Sequence, residues 1–106
     1  MDSNSLAKSF IECFCEADLN GIDSLLSKDF SLEGPLFEFE SKQDYITSLN
    51  GDLKADPEAE ILSIIGNGNE VAAFYKYKGK LIAQLFRCSE GKIDETVLVF
   101  DTNKIA

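Results

Sequence analysis

Histidine is absent from this 106-residue chain, arginine and methionine occur once each, and proline occurs twice. Without histidine, a zinc site would have to be assembled from thiols and carboxylates at poor spacing, so no metal and no cofactor is expected. The three cysteines are an odd number. Cys13 and Cys15 stand two apart on a predicted helix, so their side chains diverge and cannot bridge. They read as buried thiols in a reducing compartment. No apolar run is long enough to span a bilayer, and the opening MDSNSLAKSF has neither a basic n-region nor an apolar h-region. The expectation is a cytoplasmic protein without a signal peptide. Basic residues are also few: Lys+Arg is 10 against 19 for Asp+Glu, a net charge of -9. Such a surface repels phosphate backbones and anionic lipid, which argues against nucleic acid and membrane partners.

What the chain does have is apolar mass. The hydrophobic fraction is 44%, with eight phenylalanines, enough for a core without staples. The length fits one domain covering residues 1–106. In the first half, Leu6, Phe10, Cys13, Phe14 and Ala17 recur at helical spacing, with Ser3, Asn4 or Ser5 available as a cap. Asn20 is placed to cap a second, short helix, with Asp23 in the capping-box position. A β-prone run over 29–34 then ends at Gly34-Pro35, where proline cannot donate to a ladder. Phe37 and Phe39 alternate with Glu38 and Glu40, and Ser41-Lys42-Gln43-Asp44 has the pattern of a capping box. A third helix follows, with Tyr45, Ile46 and Leu49 inward and Asn50-Gly51 as its stop.

The second half alternates in the manner of strands. Segments 58–66, 70–78, 80–88 and 92–100 are separated by Asn67-Gly68-Asn69, Lys78-Gly79 and Ser89-Glu90-Gly91, tight turns that predict an antiparallel meander. Helices first and strands later is an α+β pattern. Both faces of 80–88 are apolar: Leu81, Ala83 and Leu85 on one, Ile82, Phe86 and Cys88 on the other. In 92–100, Ile93, Val97 and Val99 oppose Leu98 and Phe100. A sheet with one wet face would alternate apolar with polar. Three helices can cover one face, so a second subunit is the economical cover for the other, giving a homodimer through the sheet. A filled, self-curled barrel is the competing explanation.

The order of these elements resembles the nuclear transport factor 2-like superfamily, in its SnoaL-like and ketosteroid-isomerase-like branch. The resemblance rests on the first helix, on ADLNGIDSLLSKDFSLEGP, on the helix opening at SKQDYI and on the closing EGKIDETVLVFD. It implies a cone: a curved antiparallel sheet packed against three N-terminal helices, enclosing an apolar pocket, often dimeric through the sheet. It also implies where isomerase chemistry would sit. The carboxylate base would fall at Gly34, the first-helix tyrosine at Phe10, and the protonated acid near Gln84. None of these side chains can play its role. The Asp-His pairing of scytalone dehydratase-like members is impossible without histidine.

The remaining candidates follow from alternation. Glu33 is the nearest surviving carboxylate to the corner, but it faces opposite to Leu32 and away from the pocket unless a bulge at Gly34 turns it inward. Gln84 is the only polar side chain on its strand face, between Ile82 and Phe86. It is either bonded within the protein or a ligand contact. Phe10, Phe14, Leu32, Phe37, Tyr45, Tyr75, Gln84 and Phe86 are taken as the pocket's ligand-binding set, and the corner at Gly34-Pro35 as its rim. Arg87 either meets a carboxylate across an interface or sits at the rim. The expected function is non-enzymatic binding of a small apolar molecule. A proton-transfer enzyme using a pocket carboxylate such as Glu33, and a module pairing with another chain through the sheet, are the alternatives.

Overall fold

The computed structural model describes residues 1–102. In chain order the elements are α1 (Ser3–Cys15), α2 (Leu19–Leu25), β1 (Leu26–Glu33), β2 (Glu38–Phe39), α3 (Lys42–Leu49), β3 (Glu60–Asn67), β4 (Glu70–Tyr77), β5 (Lys80–Ser89) and β6 (Lys92–Phe100). All three helices start on a side-chain oxygen. Asp2, one residue before the expected serine and asparagine, caps α1 by accepting from the Ser5 amide at 2.8 Å. Asp18 rather than Asn20 caps α2, accepting from the Gly21 amide at 2.9 Å. The carboxylate reaches the third amide from its own position, which Asn20, already inside the helix, cannot do. Glycine is required at 21 because a Cβ there would lie 2.5 Å from Asp18 Oδ2 and 2.7 Å from Cys13 Sγ. Ser41 caps α3 as expected, with the Asp44 amide at 3.1 Å. Asn50 ends it, and Gly51 follows at φ +88°. Ala17, grouped by spacing with α1, lies beyond the helix end at φ 59°.

The six strands form one sheet in the order β2-β1-β6-β5-β4-β3. The β3–β6 meander is antiparallel throughout. Tight turns predict this, but not what happens at its end. β6 comes back beside β1 and runs parallel to it, so the sheet is mixed rather than wholly antiparallel. β2 and β3 are its two edges, so the sheet is not closed into a barrel. The helices pack on one face, α1 against β3 to β6 and α3 against β1 and β2. Between these layers lies the core, with Leu6, Phe10 and Ile11 of α1 meeting Val71, Tyr75, Phe86 and Ile93 of the sheet.

A bulge changes one expected grouping. Phe86 pairs with Thr96 and Arg87 with Glu95, but Cys88 pairs with Ile93. The extra residue shifts the parity of β6. Ile93 is therefore buried on the helix-covered face with Thr96, and not beside Val97 and Val99. The opposite face carries Val97 and Val99, paired across to Leu85 and Ala83, which pair in turn with Ala72 and Phe74. Val99, Ile65, Leu81, Leu62 and Phe74 are exposed. Arg87, at one end of this face, donates to Glu70 at 2.8 Å and to Glu95 at 2.6 Å within its own sheet.

Candidate functional site

Alternation along the strands points every second side chain toward the helices. From β4 these are Tyr75 and Tyr77, from β5 Lys80 and Ile82, and from β6 Leu98 and Phe100. α1 brings Phe10 and Phe14 down onto them, while α3 brings Tyr45, Ser48 and Leu49 from the side. Leu32 of β1 and the corner residues Phe37 and Phe39 complete a wall around a cavity of about 390 Å³. The corner is a tight turn in which the Gly34 amide donates to the Phe37 carbonyl at 2.9 Å. A Cβ at Gly34 would sit 3.2 Å from the Phe37 ring, so glycine allows that ring to fold back toward the cavity. Phe37 then meets Phe39 at 5.8 Å and Phe100 at 6.5 Å between ring centroids. The corner thus sets Phe37 and Phe39 on the wall, while Gly34 and Pro35 themselves do not line it.

Six of the residues expected in the pocket stand on its wall: Phe10, Phe14, Leu32, Phe37, Tyr45 and Tyr75. Gln84 and Phe86 lie in the layer behind it. Phe86 is fully buried, edge-on to Phe10 at 5.4 Å. Gln84 is 2% exposed and bonded at both of its amide atoms. Its Oε1 accepts from the Tyr75 hydroxyl at 2.6 Å, its Nε2 donates to Thr96 Oγ1 at 2.7 Å, and Thr96 donates to the Leu85 carbonyl at 2.9 Å. The direction of this relay is forced, because a carbonyl can only accept. Thr96 spends its one proton there and must accept from Gln84. The amide oxygen therefore faces Tyr75, and Tyr75 must donate.

Glu33 is exposed on the other side of the sheet, paired with Val97 on one flank and Glu38 on the other. β1 has no bulge at its end to turn it inward. Among the described residues, the cavity wall holds no carboxylate, and no group of three or more Cys, Asp or Glu residues is placed to hold a metal ion. Burial pushes the Tyr45 and Tyr75 hydroxyls far above the ordinary tyrosine range, and burial is also the main cause of a rise at Tyr77. All three stay neutral at physiological pH. Lys80, half-buried where the wall meets the outside, is the one charged lining residue among those described.

The expected set left out Phe39, Ser48, Leu49, Tyr77, Lys80, Ile82, Leu98 and Phe100. A signal for three of them was present, since Ile82 and Phe100 pair directly, as do Gln84 and Leu98. Once Gln84 was assigned inward, its neighbours on that face followed.

An open, curved mixed sheet with three helices closing one face over an apolar hollow defines an α+β cone. The chain belongs to the SnoaL-like domain family, whose sequence profile matches residues 7–96. Among solved structures, it is similar to a nuclear transport factor 2-like protein of unknown function from Cytophaga hutchinsonii. That pair is 18% identical, covering 97% of this chain and 93% of that one with a TM-score of 0.84. A SnoaL-like protein of unknown function from Burkholderia thailandensis gives 16% identity, 93% and 94% coverage and a TM-score of 0.79. An LEH-like epoxide hydrolase from M. tuberculosis gives 17% identity, 97% and 85% coverage and a TM-score of 0.79. At these identities the likeness is one of fold. No curated protein matches the chain.

Proposed function

We propose that the protein binds a small apolar molecule in the cone and performs no acid–base chemistry on it. One observation carries this reading: a cavity of about 390 Å³ walled by aromatic and aliphatic side chains, with a single charge at its edge. That volume falls within the range of small-molecule sites, about 300–1,000 Å³. Opening an epoxide or shifting a double bond needs a titratable group beside the reacting atoms. Here the candidate carboxylate, Glu33, is on the far face, and the tyrosines are held neutral. The hydrolase of similar fold therefore lends its architecture and not its activity.

Ethylnaphthalene is a suitable probe, because the chain contains no tryptophan to mask naphthalene emission. Saturable binding by the intact protein is expected, weakened in Leu98→Phe, where a larger side chain enters the hollow while the fold is retained. Absence of saturable binding, or identical binding by Leu98→Phe, overturns the reading.

The exposed row of Val99, Leu81, Phe74, Leu62 and Ile65 favours a second reading, a homodimer through the outer sheet face. Soluble monomers seldom leave such a surface open, and a two-fold axis lets one patch cover itself. Light scattering should give twice the chain mass for the wild type and the single chain mass for Val99→Glu. A monomeric wild type overturns it.

A further inference from the structure

Four hydroxyls line the cavity, and three have already committed their proton. Ser48 donates to the Tyr45 carbonyl at 2.6 Å, Tyr75 donates to Gln84, and Tyr77 donates to the Lys54 carbonyl. The fourth, on Tyr45, makes no hydrogen bond with any described residue, although Tyr45 is only 4% exposed. Its ring is held between Phe30 at 5.4 Å and Phe39 at 5.7 Å, so it cannot turn out to bulk water without unpacking the core. This hydroxyl is not sealed in the core, since Ser27 Oγ is the one fully enclosed side-chain polar atom without a partner among the described residues; it stays accessible, in a residue that lines the cavity. The same arrangement is pre-organised for a partner that enters the cavity.

We propose that Tyr45 is the polar anchor of the cavity, donating its hydroxyl proton to an oxygen of an otherwise apolar, uncharged ligand that carries a carbonyl, ether or hydroxyl group. The inference rests on the binding reading above and names the ligand class for the same cavity. An anionic ligand fits less well. A carboxylate drawn down to Tyr45 would be stripped of water with a single donor in return, and a buried charge needs more. The one cationic group among the described lining residues, Lys80, is half-buried beside the β4–β5 turn. The net charge of -9 repels anions at longer range. Tyr75, whose proton is spent on Gln84, offers only lone pairs to the hollow, so it can accept from a ligand hydroxyl but cannot hold a carbonyl.

Three probes of one shape separate these cases: ethylnaphthalene, acetylnaphthalene and naphthoate, each titrated into the intact protein and into Tyr45→Phe. That substitution removes one oxygen and keeps the ring. Acetylnaphthalene should bind the wild type more tightly than it binds Tyr45→Phe by about tenfold, the size of one net hydrogen bond. Ethylnaphthalene should bind both proteins equally. Tyr45→Phe should melt no lower than the wild type, because the hydroxyl it loses has no protein partner. Equal loss of both neutral probes, an undiminished affinity for acetylnaphthalene in Tyr45→Phe, or a lowered melting temperature overturns the anchor. Tightest binding of naphthoate, abolished by Lys80→Gln, overturns the uncharged class. If ethylnaphthalene binds and acetylnaphthalene shows no dependence on Tyr45, this inference falls and the binding reading stands. If no probe binds, both fall.

Discussion

Replacing Gln84 with leucine tests whether the buried relay is an organised polar structure or an accident of packing. Leucine is close to glutamine in size and removes both hydrogen bonds, at 2.6 and 2.7 Å. Thr96 keeps its bond to the Leu85 carbonyl and is left satisfied as a donor. Tyr75 is not: its hydroxyl loses its acceptor in a residue 2% exposed. Leaving one buried donor unpaired costs about 1–3 kcal/mol, while removing both partners of a bond for apolar groups of similar shape is nearly neutral. Gln84→Leu should therefore destabilise by about 2 kcal/mol, lowering the melting temperature by roughly 10 °C in a domain of this size. Tyr75→Phe strands only the amide oxygen and should cost about 1 kcal/mol. The double variant should be less damaging than the sum of the two by about 1–2 kcal/mol, since contacting residues of one network are not additive. Urea and thermal denaturation of the four proteins, followed by circular dichroism, measure the cycle. Additivity within about 0.5 kcal/mol, or a Gln84→Leu protein as stable as wild type, would refute the relay as drawn.

Two further predictions concern titrating groups. Backbone hydrogen bonds from Lys78 at 2.6 Å and Glu58 at 3.0 Å hold the Asp56 carboxyl below its ordinary value of 3.8, tying the loop before β3 to the β4–β5 turn. A depressed folded-state pKa contributes stability above the unfolded pKa and loses it as pH falls through the folded one. The urea-midpoint gap between wild type and Asp56→Ala should thus be constant from neutral pH to about pH 5 and shrink toward about pH 3; a gap that widens on acidification contradicts the assignment. Burial, with Asp56 and Glu16 nearby, pushes the Cys15 thiol from 9.0 up to about 11. Iodoacetamide at about pH 8 should therefore alkylate Cys15 roughly a hundredfold more slowly in the folded protein than in urea, because only thiolate reacts. Comparable rates in the two states would place Cys15 in water.

Much of the candidate site could be read before the fold was known, wherever the controlling contact is local. Phe10 and Phe14 are one helical turn apart and share a face. Tyr75 and Tyr77 are two apart on a strand. Ser41 meets its own third amide. Each of these depends on neighbours a few residues away. Lys80 was passed over because a charged residue at the start of a strand reads as solvated, although its pairing with Tyr77 places it on the inward face. The caps of α1 and α2 were misplaced by one or two residues because several polar residues compete at each start. The winner is decided by which oxygen the folded backbone brings within reach of an amide.

By itself, then, the order of the residues determined the element types, the inward and outward sides of β4 and β5 and the α+β class. Tertiary structure alone decided the rest. The parallel return of β6 beside β1 joins residues some sixty positions apart. One extra residue near Asp94 sends Ile93 to the opposite face. Gln84 finds its partners on two other strands, and the Tyr45 hydroxyl finds none among the described residues. Such facts depend on which distant segments lie side by side, and a hydrogen bond or a bulge is set by the partner strand as much as by its own. No local pattern contains that information.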